Sequence, residues 1–345
     1  VEVVVQFSAP RRVEVISREI APLPAGHVRV RTRYSGISAG TELTAYRGTN
    51  PYLTRIWDPQ RRLFTEGAGG LEYPVAGWGY SEVGQIVEVA ADAPAGTPGT
   101  GTYVWGIWGH RSEAVLPAER LVGHEVPAGV DPMAASFARV GAIALNAVLA
   151  TDIHLGETVA VFGQGVLGLL TTRLAVLNGA TVVAVDALPT RRESALAFGA
   201  DAALAPDGAA EEIRNRTGGI GADAAIDISG SYRALHEAVR SVTVGGRVVA
   251  SGFYQGEGVG LRLGEEFHHN RVQLVCSQIG GVPPHLAPRW SQDRLQQVFL
   301  AQLAAKTVDV GPLVSHVVPA ERAAEAYDLL DQRPAEALQV MLEFR

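Results

Sequence analysis

The stretch Thr158–Asp186 most limits what this chain can fold into. It reads T-V-A-V-F-G-Q-G-V-L-G-L-L-T-T-R-L-A-V-L-N-G-A-T-V-V-A-V-D. A β-branched run, Thr158 to Phe162, meets three glycines in G-x-G-x-x-G spacing, Gly163, Gly165 and Gly168. A helical apolar pattern follows, then Gly179, then a second apolar run ending in an acid. This order predicts a strand, a phosphate turn, a helix and a parallel strand. Gly163 permits the tight turn that also carries Gln164, Gly165 lets backbone approach a pyrophosphate, and Gly168 lets the helix pack close to the strand. The amides of Val166 and Leu167 would face phosphate oxygens from a helix N-terminus. Asp186, 23 residues after Gly163, is placed to accept bonds from ribose hydroxyls. Glycine supplies 39 of the 345 residues, so the spacing alone says little. The flanking strand, helix and acid-terminated second strand are what predict a dinucleotide site.

The bulk properties narrow the class. A chain of 345 residues has room for two domains. Hydrophobic content of 47% against 19% charged residues describes a folded globular protein rather than a disordered one. A net charge of −7 without long basic runs argues against nucleic-acid binding. The single cysteine, Cys276, excludes an internal disulfide and any multi-cysteine metal site, and fits a cytoplasmic protein. The first 30 residues carry charge throughout and show no signal-peptide core. The most apolar window is the opening stretch itself, and its phosphate glycines and Arg173 mark it as buried strand and helix rather than a membrane span.

Around that stretch the pattern changes. Residues 1 to 35 alternate like antiparallel strands, and S-G-I-S-A-G-T-E-L (Ser35 to Leu43) reads as a small-residue turn entering a short helix. Residues 48 to 72, with a G-A-G-G tip at Gly67–Gly70, show no clear period and are expected to form a functional loop or lid. Further strands are expected from Tyr73 to Pro117, then Ala-rich helix from 132 to 150. From 157 to 280 strands and helices alternate, which predicts a parallel doubly wound sheet. The tail returns to mixed structure.

A β-rich start, a nucleotide domain in mid-chain and a short return resemble the medium-chain dehydrogenase/reductase superfamily across essentially the whole chain. The phrases that carry the resemblance are G-Q-G-V-L-G with Asp186, G-G-R-V-V-A-S-G (Gly245 to Gly252), S-G-I-S-A-G-T-E and E-R-A-A-E-A-Y-D-L-L (Glu321 to Leu330). The I-S-x-G-T-E turn is similar to that of the bacteriochlorophyllide a dehydrogenase-like and zinc-binding alcohol dehydrogenase-like group. The resemblance implies an α/β protein with a Rossmann domain at 141–280 and a GroES-like β-rich catalytic domain built from 1–140 and 281–345. It also implies an active site in the cleft between the two and a homodimer.

The departures bear on chemistry. Zinc-dependent relatives bind their metal through a cysteine in the turn, a histidine in a G-H-E phrase and a later cysteine or acid. Here those places hold Ser38 and Ala39, Gly77-Trp78-Gly79, and about Arg139. None is a usual zinc ligand, so no zinc is expected. Side-chain donors would then have to stabilise the developing oxyanion. The candidates are Ser38, Thr41 and Glu42 on the former ligand turn, Trp78 and Tyr80 in place of the histidine phrase, and Trp105 in the expected pocket, with His110, Asn146 and Tyr46 as polar neighbours; Tyr46 and Tyr80 could give a proton through a phenol. Each has a structural alternative: Glu42 can hold the turn, Ser38 can replace a cysteine sterically, the tyrosines can pack at a domain edge and His110 can sit on a surface turn. Trp57, Trp78, Trp105 and Trp108 suit either core packing or an aromatic pocket for a ring-shaped substrate.

Asp186 favours NAD over NADP, because its charge would repel a 2′-phosphate. Arg191 and Arg192 could serve such a phosphate, or Arg191 could stack on adenine. The family contacts adenosine and nicotinamide at strand ends, which here are Ser229, Gly252, Phe253 and Ser277. Gln339 stands where relatives often place a basic residue near the pyrophosphate. The expected activity is zinc-independent, NAD(H)-dependent interconversion of a secondary alcohol and a ketone on a biosynthetic intermediate such as a cyclitol, sugar derivative or ring compound. Two alternatives are an NADPH-dependent quinone or enoyl reductase and a non-catalytic nucleotide-binding redox sensor.

Overall fold

The computed structural model describes residues 1–67 and 69–345. It divides into two compact units, Val1–Arg139 with Leu300–Arg345, and Val140–Phe299. The chain re-enters the first unit at Leu300, inside a helix, rather than at residue 281.

The first unit opens with strands β1 (Glu2–Ala9), β2 (Arg12–Arg18) and β3 (His27–Gly36), followed by helix α1 (Glu42–Arg47). A hairpin, β4 (Arg55–Asp58) and β5 (Leu63–Glu66), comes next. It lies inside the stretch expected to be an aperiodic loop. Its strands are too short to show an alternation in sequence, and a Trp57–Phe64 ring contact at 5.0 Å ties them together. Ala68, in the Gly67–Gly70 tip, lies outside the described residues. Then follow β6 (Val75–Ala76), β7 (Glu82–Val89), β8 (Tyr103–Gly106), β9 (Glu113–Pro117) and helix α2 (Pro132–Ala135); helix α3 (Ala138–Thr151) belongs to the second unit from Val140 onward.

The second unit is built from β10 (Thr158–Phe162), α4 (Val166–Leu177), β11 (Thr181–Val185), α5 (Pro189–Ala197), β12 (Ala202–Leu204), α6 (Ala209–Arg216), β13 (Ala222–Asp227), α7 (Tyr232–Ser241), β14 (Val242–Ala250) and β15 (Gln273–Cys276). Its six strands are parallel in the order β12-β11-β10-β13-β14-β15. This is the doubly wound arrangement that the β/α alternation predicts. Val159, Val161, Phe162, Val183 and Ile226 are almost fully buried, as strands covered on both faces require. The order reverses between β10 and β13, so their carboxyl ends open the crevice where such sheets bind ligands.

The chain returns through α8 (Gln292–Ala304), β16 (Val314–Pro319), α9 (Ala323–Gln332) and β17 (Gln339–Glu343). The last strand enters the first unit's main sheet, whose order is β16-β17-β3-β7-β8, with β9 also on β3. Phe7, Tyr46, Tyr327, Val340 and Leu342 pack in one core of this unit, and Val30, Ile86, Val104 and Trp108 in another.

Candidate active site

In the second unit the phosphate turn follows β10 directly. Gly163 has φ +88°, and a Cβ there would stand 2.9 Å from that of Ser229. A Cβ on Gly168 would strike the Gly163 carbonyl oxygen, so both positions need glycine. Gly165 caps α4 and is open, since the nearest atom to a Cβ built there is Arg191 Nη1 at 3.9 Å. Val166 and Leu167 form the first turn of α4, where amides have no acceptors within the helix. These features fit a pyrophosphate.

Asp186 ends β11, and its carboxylate organises the turn. Oδ2 accepts the Gln164 amide at 2.6 Å and Oδ1 accepts the Leu188 amide at 2.8 Å. Each oxygen keeps a lone pair for a further donor. The Gln164 side chain is wholly buried and bonds the Val161 carbonyl and Thr172 hydroxyl, so it fixes the turn from beneath. Arg192 donates to the Asp186 and Ala187 carbonyls, which holds it to the backbone.

The remaining expected cofactor residues meet at the ends of β13, β14 and β15. Ser229 donates to Asp227 Oδ1 at 2.7 Å. Gly252 passes so close to the Gly230 amide that no side chain fits, and Phe253 is exposed. Ser277 Oγ lies 2.6 Å from Ser251 Oγ, and Asn146 donates to the Ser277 carbonyl at 3.1 Å. Asp227, unremarked in the sequence, is fully buried beside them and also accepts from Tyr254 at 2.5 Å. Burial pushes its carboxyl up to about 6 against those bonds.

In the first unit the Ser38 turn rests on a buried polar chain. Glu42 accepts the Ser38 amide at 2.8 Å through Oε1 and the Tyr327 hydroxyl at 2.5 Å through Oε2. His110 Nε2 stands 2.7 Å from the same Oε2, and His110 Nδ1 stands 2.5 Å from Ser35 Oγ. Ser35 bonds Glu82 at 3.1 Å, and Glu82 accepts the Trp108 amide. Burial lowers the His110 pKa, but Glu42 and Glu82 more than offset this and hold it above its ordinary value. Burial pushes the Glu82 carboxyl up despite its partners. Glu42 and His110 are each 1% exposed, so the structure brings together two expected site residues where a substrate cannot reach them. Ser35, Glu82 and Tyr327 complete this chain and were missed in the sequence. The one available signal was the charge of Glu82 at the start of β7, next to the Trp78–Tyr80 phrase.

A second polar cluster joins this chain through Ser38. Ser38, Thr41, Tyr80 and Arg139 are all half-buried. Ser38 Oγ is 2.5 Å from the Tyr80 hydroxyl. Burial raises the Tyr80 pKa, while hydrogen bonds from Ser38 and Thr41 and the Arg139 charge pull it back. The other expected residues are elsewhere. Tyr46 is a core ring stacked on Tyr327 at 5.7 Å. Trp105 is 2% exposed and stacks on His124 at 4.0 Å. Trp78 is half-buried against the first unit's core, and its carbonyl accepts the His110 amide. Trp108 is buried with its indole bonded to Thr32, and Trp57 belongs to the β4–β5 hairpin. The four tryptophans therefore form no shared aromatic pocket. Gln339 donates to the Ile37 and Val340 carbonyls and secures the Ser38 turn from β17.

The residues at the zinc positions do not suit that metal. A hydroxyl bonded to a phenol beside a guanidinium is not a zinc donor set. Glu42 and His110 are engaged with each other. Among the described residues, His236, Glu265 and Glu266 in the second unit bring an imidazole and two carboxylates together, and Arg262 already bonds His236 at 3.0 Å and Glu265 at 3.0 Å.

Comparison with known proteins places this geometry. The family described as zinc-binding dehydrogenase matches residues 166–292. D-guloside 3-dehydrogenase of Shigella flexneri is 28% identical over 98% of this chain and 98% of its own. The crystal structure of 2R,3R-butanediol dehydrogenase from Bacillus subtilis superposes with a TM-score of 0.81 over the full length of both chains at 19% identity. Over nearly its whole length the chain thus resembles the medium-chain dehydrogenase/reductase superfamily. L-galactonate-5-dehydrogenase of Escherichia coli, 34% identical over 48% of this chain and 46% of its own, is a further relative. These likenesses support an alcohol-dehydrogenase-type enzyme, and the parallel-sheet unit with a β-rich unit is the fold of those structures. No helix among the described residues is long and apolar enough to cross a membrane.

Proposed function

We propose that this protein is a zinc-independent, NAD(H)-dependent dehydrogenase that interconverts a secondary alcohol and a ketone on a sugar or polyol derivative. The observation that carries this reading is the replacement of the metal donors by the Ser38–Tyr80 hydroxyl pair beside Arg139, in a chain whose full-length relative is named for a guloside. When bound, the nicotinamide would supply or accept the hydride. Gly163, Gly165, Val166, Leu167 and Gly168 would hold its pyrophosphate, with Gln164 fixing the turn. Asp186 and Arg191 would meet the adenosine, and Ser229, Gly252, Phe253 and Ser277 would line the strand ends. Ser38, Thr41 and Tyr80 would address the reacting oxygen, while Glu42 and His110 would position them. A cytoplasmic homodimer is part of the same reading.

Asp186 favours NAD for a physical reason: a buried carboxylate repels a second phosphate. In Asp186→Ser, the ratio of NADH to NADPH affinity should fall by about tenfold or more, measured by fluorescence titration. Both affinities will also drop because the Gln164 and Leu188 amides lose their acceptor, so the ratio is the deciding quantity. An unchanged ratio removes Asp186 from the adenosine site. Elemental analysis of the purified protein should find far less than one zinc per chain, and stoichiometric zinc at the Ser38 turn would refute the donor-set argument. Turnover of a panel of sugar-derived ketones and alcohols tests the activity itself.

A further inference from the structure

We propose that the Tyr80 phenol is the group that gives and takes the substrate proton, held by the hydroxyls of Ser38 and Thr41 beside the Arg139 guanidinium. This rests on the dehydrogenase reading above and names the acid–base group that the reading requires.

The argument begins with access. Six groups near the Ser38 turn can exchange a proton: Glu42, Tyr46, Tyr80, Glu82, His110 and Tyr327. Glu42 is 1% exposed and engaged by the Ser38 amide, His110 and Tyr327. Tyr327 is fully buried with its proton given to Glu42, and Tyr46 is 5% exposed in an aromatic stack. Glu82 is fully buried beneath Ser35, and both His110 nitrogens are engaged. Tyr80 alone of these is half-buried, and it shares that exposure with its three neighbours.

The hydrogen-bond inventory gives the direction. A phenolic oxygen accepts from two donors and donates once. Ser38 Oγ, 2.5 Å away, and the Thr41 hydroxyl can fill the acceptor positions. The phenolic proton then points to a third partner. Ser38 is itself fixed, because its amide is bound by Glu42 at 2.8 Å and its hydroxyl oxygen receives the Thr41 amide at 3.5 Å. The same two hydroxyls and the Arg139 charge stabilise the phenolate that forms once the proton leaves. This is oxyanion stabilisation by preorganised donors, placed on the acid rather than on a metal-bound substrate.

In the reducing direction a bound reduced nicotinamide would supply the hydride to the carbonyl carbon, and the C=O π electrons would pass to the oxygen. That oxygen forms an O–H bond with the Tyr80 proton, and the Tyr80 phenolate then takes a proton from water. The net change is ketone, reduced nicotinamide and one proton to alcohol and oxidised nicotinamide. Alcohol oxidation reverses each step and needs the phenolate at the start. The charged and titratable groups that act on Tyr80 are Arg139, which favours the phenolate, and Glu42, which opposes it. Burial leaves the phenol protonated through neutral pH, which suits reduction, whereas oxidation should accelerate as pH rises toward its ordinary value of 10.0 and beyond.

The test uses the full chain, NADH or NAD, and a panel of sugar-derived ketones and alcohols. Tyr80→Phe should lower kcat by about 10²- to 10⁴-fold, the usual contribution of a positioned acid, while NADH affinity by fluorescence titration stays within about twofold. Ultraviolet titration without substrate should lose one high-pH phenolate transition in Tyr80→Phe. The transition and the alkaline limb of alcohol oxidation should both move to higher pH in Arg139→Met, and return toward wild type in Arg139→Lys. Turnover by Tyr80→Phe within about threefold of wild type overturns the proposal and leaves the dehydrogenase reading intact. Absence of turnover by the wild-type protein across the panel removes that reading and this proposal with it.

Discussion

Glu42 joins three distant parts of the first unit: the Ser38 amide, the His110 ring and the Tyr327 hydroxyl. Because the carboxylate is 1% exposed, none of these partners can turn to water when it is removed. Glu42→Ala should therefore cost about 3–5 kcal/mol, as expected when a buried, hydrogen-bonded charge is taken from its partners. Tyr327→Phe, which deletes one donor and keeps the ring, should cost about 1–3 kcal/mol. Urea unfolding at neutral pH measures both, and a Glu42→Ala cost below that of Tyr327→Phe would show that the carboxylate is not the organising group. Glu42 was legible as a candidate on its short motif. Its partner was not, since Tyr327 lies 285 residues away and reads as an ordinary apolar-face residue of α9. Tyr80 was legible as a phenol in place of the histidine phrase, but only the fold brings Ser38, Thr41 and Arg139 to its hydroxyl.

At the scale of one strand, β13 shows the same contrast. Its run G-A-D-A-A-I-D-I reads plainly as buried, yet nothing in the run marks Asp227 as a carboxyl that holds its proton to higher pH than usual. Its pKa is raised from 3.8 to about 6 by burial. The folded chain then keeps a proton that the unfolded chain releases, so this group's contribution is complete below the unfolded value and is lost as pH rises through the folded one. The expected loss is about 3 kcal/mol between those two values, with a level contribution above. Asp227→Asn should remove that slope. Urea midpoints for wild type and variant at about pH 4 and about pH 7 measure it, and parallel changes in the two proteins would mean that Asp227 ionises normally.

For the whole molecule, the second unit was the readable part. Its strands and helices are consecutive, its turn uses glycines for stated steric reasons, and each strand pairs with a neighbour close in sequence or across one crossover. The zinc-lacking side was readable only as a set of substitutions. Its polar chain depends on β3, β7, α1, α9 and the segment before β9, gathered from both ends of the sequence, and no local spacing encodes that convergence.

The position of β17 has a consequence for how the chain is made. It lies between β16 and β3 in the first unit's main sheet, pairing Met341 with Gly36 and Leu342 with Ser35. A ribosome delivers β1 to β9 before the inserted unit and β17 after it. The inserted unit thus has all six of its strands, and can complete its sheet, while the Tyr34–Gly36 end of β3, beyond the part covered by β9, still lacks its partner. Until β17 arrives, that short edge is open to strands from other nascent chains, and the Ser38 turn lacks Gln339. The inserted unit can therefore be complete before the unit that encloses it.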